Sequence, residues 1–433
     1  MGNRLCPVIL DITGKDVHAE AVRLREQGSV ARVELPQGVM GWAIVGYDIA
    51  SKLLTDPRVS KDPRQHWPAY INGDIGSDWP LASWPAMDNM TTAYGSDHTR
   101  LRKPVMKAFT PRRVRDMKPY IEKTVARILD DMAAFPPGEI LDLKKHFSYR
   151  LPASLVCDLF GIPEESRADM LRGGEVTTDS SITPEEAEAN VRMWPDRFQQ
   201  FIDAKRQTPG EDLTSDLIKA GKDDGTALSD SELVGTLFLV LGAGSETVMN
   251  LITNAVYKLI VHPEQRALLE GGQVTWDDVI EETLRAESPT NMLPLRYAVE
   301  DIEEDGVTIP KGDPILVGYG AIGRDPAKHA DTADEWDLTR ADKSHLSFGY
   351  GTHHCLGAPL ARLEAQIALP ALFDRFPEIA LGVEPAELMP QGTFIMNGFK
   401  TMPVRLRDPA QGRRSQIETE QGEGVGVVAG SPA

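Results

Sequence analysis

One cysteine lies in a glycine-rich segment that leads directly into a helical pattern. Cys355 ends the run Phe348-Gly-Tyr-Gly-Thr-His-His and is followed by Leu356 and Gly357. Glycine allows backbone angles and close approaches that other residues cannot adopt. The backbone N–H groups of such a loop, and of the helix that follows it, would lower the pKa of the thiol. Because hydrogen bonds to a thiolate tune a bound metal, the segment predicts a sulfur ligand to iron.

Three other interpretations of this cysteine stay open on the residues alone. A free cysteine is most often an apolar filler in the core. Cys355 beside His354 could be a thiol nucleophile, although neighbours in sequence rarely face each other productively. His353, His354 and Cys355 could bind zinc, but zinc ligands are usually spaced by two to four residues and need a second cluster, which the sequence lacks.

The same segment resembles the haem-binding loop of the cytochrome P-450 superfamily, Phe-x-x-Gly-x-(Arg/His)-x-Cys-x-Gly. The match falls on Phe348, Gly351, His353, Cys355 and Gly357. The likeness extends from about residue 30 to residue 406 and is greatest to bacterial, actinomycete-type members. It implies a single-domain cytochrome P-450 fold over residues 1–408, mostly α with a small β portion. Residues 409–433 form a polar, Gly-rich tail that is predicted to be disordered.

The resemblance implies haem b (iron-protoporphyrin IX) as the cofactor, with Cys355 as the iron ligand. It assigns the remaining cofactor contacts to His98, Arg102, Ala243, Gly244, Arg296, Phe348, Gly349, His353 and Gly357. The two haem propionates need cationic partners, and the guanidinium fork of arginine suits a carboxylate. His98 and Arg102 are four residues apart and share one side of a predicted helix. Taken singly, each of these cations is more consistent with a solvated surface.

A second motif, Ala243-Gly-Ser-Glu-Thr247, lies within a long helical pattern. The resemblance assigns catalysis to Thr247 and Glu246. The Thr247 hydroxyl can bond back to a carbonyl one turn earlier, and Glu246 can relay protons. Taken alone, the motif is equally compatible with a small-residue packing notch in a core helix. The resemblance also gives a structural role to Glu282, Arg285 and Arg340, as a buried ion network that would be costly to break.

The function that the resemblance implies is monooxygenation, in which one oxygen atom of dioxygen enters a C–H bond. Apolar segments predict a bulky lipophilic substrate. The resemblance to a bacterial subgroup implies that this substrate is steroid-like or macrolide/polyketide-like. The candidate substrate contacts are Trp84, Met87, Met90, Leu241, Met292, Leu293, Phe394, Ile395 and Met396. Two alternatives stay open: a haem-binding sensor without catalysis, and a peroxide-driven peroxygenase of the same fold.

Charge and composition narrow the partners. The formal net charge is −19, which argues against nucleic acid and against a polybasic membrane surface. The segment from Arg100 to Lys118 contains eight basic residues and only one acidic residue, Asp116. The resemblance suggests that this basic segment docks an acidic ferredoxin, reduced by an NAD(P)H-dependent ferredoxin reductase. Three scattered cysteines, with no signal or anchor pattern, predict a cytoplasmic protein. A monomer is also expected.

Periodicity locates the elements that would position these residues. Helices are predicted over Asp97–Met132, divided at Pro104 and Pro111, and over a long segment from Ser229 or Ser231 to Pro263. Two more are predicted over Asp277–Glu287 and Gly357–Phe376. Strand patterns are few and short, and they lie near the chain ends, at residues 30–35, 42–45, 307–309 and 402–406.

Overall fold

The computed structural model describes residues 6–220 and 227–406, with the side chains of 174–177 left out of the description. The helices are α1 (Val17–Arg25), α2 (Tyr47–Leu53), α3 (Pro63–His66), α4 (Pro68–Ile71), α5 (Ser83–Ala86), α6 (Gly95–Met106), α7 (Pro111–Asp116), α8 (Lys118–Ala133), α9 (Arg150–Phe160), α10 (Glu164–Thr178), α11 (Pro184–Gln207), α12 (Leu213–Lys219), α13 (Asp230–Val261), α14 (Pro263–Glu270), α15 (Trp276–Ala286), α16 (Tyr319–Gly323), α17 (Pro326–His329) and α18 (Ala358–Arg375). The predicted tail at 409–433 lies outside the described residues.

Strands form a minor part of the fold. They are β1 (Val8–Ile9), β2 (Val30–Leu35), β3 (Val39–Ile44), β4 (Val59–Ser60), β5 (Ile140–Asp142), β6 (Leu293–Ala298), β7 (Ile302–Glu304), β8 (Val307–Ile309), β9 (Pro314–Val317), β10 (Ala380–Leu381) and β11 (Pro403–Arg405). Six of them form a mixed sheet in the order β1-β2-β3-β9-β6-β4, three form the sheet β10-β11-β5, and β7 pairs with β8. The prediction of a mostly α fold with a small β portion is confirmed.

The central helix α13 begins where the sequence predicts. The Ser229 side chain accepts a hydrogen bond from the backbone N–H of Glu232, and the Glu232 carboxylate accepts one from the N–H of Ser229. This reciprocal cap satisfies two backbone donors at the helix start. Ser231, the other predicted cap, instead bonds to Asp88. By length and composition α13 could cross a membrane, but 67% of its most apolar window is buried inside the protein, as expected of a core helix.

Two predictions about elements are wrong. Pro104 does not divide the 97–132 segment, because α6 continues through it and ends two residues later at Met106, so the interruption that proline causes falls close to the natural end of the helix. The segment instead forms three helices, α6 to α8, and Pro111 occupies the first position of α7. Strands β6 and β9, which lie on either side of the predicted strand at 307–309, were missed. Both are buried on nearly every residue, so they lack the alternation that marks a half-exposed strand.

Helix α13 packs against α9, α10, α11, α15 and α18. Its first half joins an apolar cluster with α9 and α11, whereas its second half joins a larger cluster with α8, α15 and α18. The Cys355 loop comes just before α18, so the fold places this loop and the middle of α13 on the same cavity.

Candidate functional site

The Cys355 loop is a tight turn that brings its two ends together. The backbone N–H of Cys355 donates to the carbonyl oxygen of Phe348 at 2.8 Å. Gly349 and Gly351 have φ angles of 69° and 71°, in the left-handed region that favours glycine. A Cβ at Gly351 would also lie 2.8 Å from the carbonyl oxygen of Leu54. The glycines are therefore required by the backbone path, which directs the cysteine toward the cavity.

The thiol of Cys355 opens on the cavity but is surrounded by protein deep in the fold. This burial raises the pKa of the thiol, while hydrogen bonds from Gly357 and Ala358 and the charge of Arg102 act in the opposite direction. The loop amides lower the pKa as the sequence predicted, but desolvation outweighs them, so the net shift of the pKa is upward. A bound metal cation deprotonates a coordinating thiol, so the environment fits a thiolate only together with its metal.

The alternative interpretations of Cys355 find no support. Its position on the cavity contradicts a filler role in the core. Among the hydrogen bonds of the described residues, none joins its sulfur to His353 or His354, as a nucleophile would require. Within the same residues, no cluster of three His, Cys, Asp or Glu side chains is arranged to bind a metal.

Arg362 anchors the start of the Cys355 loop. Its guanidinium lies over the ring of Phe348 and pairs with the carboxylate of Glu281.

The middle of α13 forms the opposite wall of the cavity. The Thr247 hydroxyl donates to the carbonyl oxygen of Ala243 at 2.7 Å, as predicted. Ala243, Gly244, Glu246 and Thr247 all line the cavity. A Cβ at Gly244 would lie 2.7 Å from the side chain of Val156, so this glycine also allows α9 to pack closely. The Glu246 side chain is 4% exposed, and its Oε2 accepts a hydrogen bond from Thr178 at 2.5 Å.

Cationic side chains gather at one end of the cavity. They are Lys61, His98, Arg102, Arg296 and His353. The rings of His98 and His353 lie 4.0 Å apart between centroids, and His98 Nε2 is buried without a hydrogen-bond partner. Within the described residues, no carboxylate forms an ion pair with any of the five. We call this group the cation cluster.

The cation cluster depresses its own basicity. Burial, with Arg102, Lys61 and Arg296, lowers the pKa of His98 to about 4. Burial and the neighbouring cations also hold the pKa of His353 far below its usual range. The pKa of Lys61 falls well below normal through burial and the charge of Arg296. Since burying like charges is costly, the cluster fits a ligand that brings negative charge, and the two propionates of a haem supply it.

The ion network around Glu282 has all its partners within the chain. Arg285 and Glu282 are both fully buried and form two hydrogen bonds of 2.8 Å. Arg285 also donates to the carbonyl oxygens of Gly323, Ala333 and Glu335. Arg340 Nε lies 3.3 Å from Glu282 Oε1. The structure therefore brings the three predicted residues together away from the cavity.

The candidate substrate contacts divide into two groups. Those that line the cavity are Trp84, Met87, Met90, Leu293, Ile395 and Met396. Leu241, Met292 and Phe394 pack instead in the core, at 0–2% exposure. Met292 lies in the bend just before β6, whereas Leu293 is the first residue of that strand, and only Leu293 reaches the cavity. Leu241 is turned about 100° from Val240 and Gly242, which both line the cavity.

Several cavity residues were missed by sequence reasoning. Lys61 follows β4 in a segment without a recognised motif, and Tyr319 bonds to Arg296 from the start of α16. Thr178 and Thr290 also line the cavity. No local pattern marks these positions, because they are brought to the site only by the packing of distant elements.

The basic segment 100–118 carries fewer unpaired positive charges than its composition indicates. Arg100, Arg112 and Arg113 form ion pairs with Glu232, Asp116 and Asp216, respectively.

A cysteine loop, a small-residue notch on the facing helix and a carboxylate-free cation cluster surround one cavity. This combination defines a haem protein in which a cysteine sulfur binds the iron. The site offers a sulfur ligand on one wall, space against Ala243 and Gly244 on the other, and counter-charge for two propionates at one end. The residues present therefore fit the group.

Comparison with known proteins agrees with this class. The family model described as Cytochrome P450 matches residues 275–397. A 2-hydroxy-5-methyl-1-naphthoate 7-hydroxylase of Streptomyces carzinostaticus is 52% identical over 94% of this chain and 99% of the relative. The 6-deoxyerythronolide B hydroxylase of Saccharopolyspora erythraea is 34% identical over 92% of this chain and 98% of that protein.

Solved structures agree in fold. CYP154A1 from Streptomyces coelicolor A3(2) superposes with a TM-score of 0.88 at 45% identity, covering 92% of this chain and all of that one. A structure of "Testerone bound CYP154C4" from Streptomyces sp. ATCC 11861 gives a TM-score of 0.89 at 40% identity, covering 94% and 99% of the two chains. The chain belongs to the cytochrome P450 family. It is a haem-thiolate monooxygenase.

Proposed function

We propose that this enzyme hydroxylates a bulky, lipophilic substrate of the steroid-like or macrolide/polyketide-like class. The observation that carries the proposal is the lining of the cavity on the α13 side, which is apolar apart from a few groups. Trp84, Met87, Met90 and Ile395 supply apolar surface, and Thr91 and Thr290 supply hydroxyls. Such a cavity favours a large apolar body with a few neutral polar groups.

Printed names of the relatives support the same substrate class. The 52% identical relative is named for hydroxylating a naphthoate, and another is named for a deoxyerythronolide. The superposed "Testerone bound" structure is named for its ligand. All three names describe ring-containing, lipophilic molecules. A steroid or an aromatic or macrocyclic polyketide is therefore the substrate class that we propose for this chain.

The cofactor in this proposal is haem b. Cys355 would bind its iron, and the cation cluster with Tyr319 would hold its propionates. When bound, it supplies the site at which dioxygen is reduced and one oxygen atom is transferred to carbon. Phe348 and Gly357 would lie beside the sulfur, where Gly357 donates a hydrogen bond to it. Hydrogen bonds to a sulfur ligand tune the reduction potential of the iron that it binds.

Glu246 and Thr247 manage protons in this proposal. The Thr247 hydroxyl donates to Ala243 O, so its oxygen remains able to accept a hydrogen bond from a water molecule in the cavity. Glu246 is the ionisable side chain adjacent to it on α13, and its carboxyl borders the cavity. A carboxyl in this position can give a proton to that water as a general acid. The two residues together would supply the protons that oxygen cleavage consumes.

Electrons in this proposal come from NAD(P)H through a ferredoxin reductase and an acidic ferredoxin. Although some arginines of the basic segment are paired, Lys103, Lys107 and Arg115 are exposed and form no ion pair within the described part of the chain. They lie on α6, α7 and the turn between them, and α6 also carries Arg102, which bonds to the carbonyl of His354 in the cysteine loop. An acidic partner docked here would approach the sulfur side of the site. We also propose a cytoplasmic monomer.

The experiment that tests this function compares two ways of driving turnover. Holoenzyme is given a panel of steroids and polyketides, either with ferredoxin, reductase and reduced nicotinamide, or with hydrogen peroxide alone. We expect hydroxylated product mainly in the first arm. Product from peroxide at an equal or higher rate would instead support a peroxygenase. Absence of product in both arms, with haem bound and lipophilic ligands binding, would support a sensor.

The variant Thr247→Ala sharpens the same experiment. Removal of the hydroxyl takes away a hydrogen-bonding group beside the cavity, so we expect peroxide to accumulate while product falls severalfold or more per nicotinamide oxidised. Thr247→Ser keeps the hydroxyl and should stay close to the parent enzyme. Unchanged coupling in Thr247→Ala would overturn the role given to Thr247.

A further inference from the structure

One acidic and two basic side chains surround the aromatic ring that begins the Cys355 loop. Glu281 lies on α15, Arg362 lies on α18, and His345 comes three residues before Phe348. The guanidinium carbon of Arg362 lies 4.6 Å from the centroid of the Phe348 ring. The centroid of the His345 ring lies 5.9 Å from the same point. We call Glu281, His345 and Arg362 the Glu281 triad.

Glu281 is bound by both basic members of the triad. Its carboxylate accepts hydrogen bonds from Nε and a terminal nitrogen of Arg362, at 2.5 Å and 2.8 Å. His345 Nε2 lies 3.0 Å from Glu281 Oε2. Burial acts to raise the pKa of Glu281, but the hydrogen bonds and charges of Arg362 and His345 lower it to about 2. Glu281 is therefore ionised at neutral pH, and this bidentate pair holds the guanidinium over Phe348.

Phe348 connects the triad to the predicted sulfur ligand. Its carbonyl oxygen accepts a hydrogen bond from the backbone N–H of Cys355 at 2.8 Å, so the start of the loop is fixed to the cysteine. Burial raises the pKa of the Cys355 thiol, and the positive charge of Arg362 acts in the opposite direction. A cation that stabilises a thiolate also favours the addition of an electron to a metal that the thiolate binds.

From this geometry we propose that Arg362 and Glu281 set the reduction potential of the bound haem with opposite signs. Arg362 is a positioning residue for Phe348, and it brings a positive charge that favours the reduced iron. Glu281 offsets part of that charge and holds the guanidinium in place. The step concerned is the uptake of one electron, supplied by reduced ferredoxin in turnover, and no bond forms or breaks at these side chains. The inference rests on the proposed binding of iron by Cys355.

Two single variants test the two signs. Arg362→Met removes the cation and leaves Glu281 with His345 alone. We expect the ratio of ferrous to ferric holoenzyme at a fixed solution potential to fall by about threefold to tenfold, where tenfold is about 59 mV for one electron. Glu281→Gln leaves the charge of Arg362 without its counter-charge, so the ratio should rise. The redox titration uses dithionite and dyes in place of ferredoxin, so a lost docking contact does not contribute.

A similar pair beside another part of α18 provides the matched control. Arg266 on α14 pairs with Glu270 at 2.7 Å, and its guanidinium carbon lies 5.0 Å from the centroid of the Phe373 ring. Among the described residues, none of these three lines the cavity that Cys355 faces. Arg266→Met and Glu270→Gln should therefore leave the potential at that of the parent.

The direction of the shifts separates an electrostatic role from a structural one. A distorted loop would move the potential in the same direction in Arg362→Met and Glu281→Gln, whereas the proposal requires opposite directions and a double variant between them. Shifts of the same sign, or parent-like potentials in both variants, would overturn it. Arg362→Lys keeps the charge and should stay closer to the parent than Arg362→Met. Equal shifts in these two variants would also contradict a role of the charge.

The spectrum of the reduced, carbon monoxide-bound protein separates this inference from the function beneath it. If the parent lacks the far-red Soret maximum of sulfur-bound haem, the binding of iron by Cys355 fails, and the inference fails with it. If the parent and Glu281→Gln both show that maximum and have equal potentials, only the role of the triad fails. If Arg362→Met loses the maximum, Glu281→Gln decides: a higher potential supports the inference, and an equal or lower one overturns it.

Discussion

Two buried groups of charged side chains differ in whether the chain supplies the opposite charge. Around Glu282, every donor of the Arg285 guanidinium meets a carboxylate or carbonyl oxygen of the protein. In the cation cluster, five basic side chains gather without an ion-pair partner in the described part of the chain, and Lys61 is only 7% exposed. Both groups are deep in the fold, so burial alone does not distinguish them.

Whether the chain supplies the opposite charge indicates the role of each group of charged side chains. A buried ion pair with complete hydrogen bonding holds elements together, and breaking it leaves a charge stranded. A buried group of like charges lowers the stability of the empty protein and gains its counter-charge only from a ligand. The first is therefore a structural feature of the fold, and the second is a binding site. Predictions that affect the two groups differently test this distinction.

Arg285→Met should have the largest effect. It leaves the buried Glu282 carboxylate without its closest partner, and the loss of one member of a buried pair typically costs about 3–5 kcal/mol. We expect the free energy of unfolding of the apoprotein to fall by that amount, measured by urea denaturation, or the variant not to accumulate at all.

Arg112→Met provides the control for Arg285→Met. The Arg112 and Asp116 side chains are exposed, and their charged groups are 3.8 Å apart on one helix. A pair of this kind contributes at most about 0.5 kcal/mol. A loss in Arg285→Met no greater than that in Arg112→Met would show that the network around Glu282 does not stabilise the fold.

Lys61→Met should have the opposite signature. Removal of one of several buried like charges should leave the apoprotein at least as stable as the parent. The holoprotein should release haem faster, by about tenfold or more, since a charge-assisted hydrogen bond contributes about 1.5–3 kcal/mol. Transfer of haem to excess apomyoglobin measures the rate without any need for turnover.

Lys52→Met is the matched control for Lys61→Met. Lys52 is also a lysine in the N-terminal part of the chain, but it is exposed and paired with Glu304. Haem release from Lys52→Met should equal that of the parent. Equal rates in Lys61→Met and Lys52→Met, or a large loss of apoprotein stability in Lys61→Met, would contradict the assignment of Lys61 to the binding site.

The sequence predicted those parts of the fold that have a local cause. The cap at Ser229, the helix Trp276–Ala286 and the helix after Cys355 each depend on neighbouring residues, and each lies within a residue or two of its predicted bounds. Strands β6 and β9 were missed, because their burial on both faces follows from pairing with distant segments. Local patterns do not contain that information.

The site divides in the same way. Cys355, Thr247 and the pair Glu282–Arg285 belong to compact motifs, and the structure places them as the motifs imply. Lys61 and Thr178 come from segments without any motif, and only the tertiary fold brings them to the cavity. Some candidate substrate contacts lie in the core while their neighbour in sequence lines the cavity, as at Met292 and Leu293. There the direction of one side chain decides the outcome, and composition does not encode it.

The smallest expected effect concerns pH and the empty cation cluster. The pKa of His98 is about 4 in the folded apoprotein, against about 6.5 in an unfolded chain. The unfolded state therefore binds a proton first as the pH falls, so the apoprotein loses stability between pH about 6.5 and about 4. For this one group the loss between pH 7 and pH 6 is about 0.7 kcal/mol.

The variant His98→Asn should remove that part of the pH dependence, measured by urea unfolding of the apoprotein at pH 7 and pH 6. His262→Asn, which changes a partly exposed histidine at the end of α13, should leave the dependence in place. In the holoprotein the propionates would oppose the charges of Lys61, Arg102 and Arg296, so the pH dependence due to His98 should shrink. An equally steep dependence with and without haem would mean that His98 does not face the propionates, and the cation cluster would then lose one of its members.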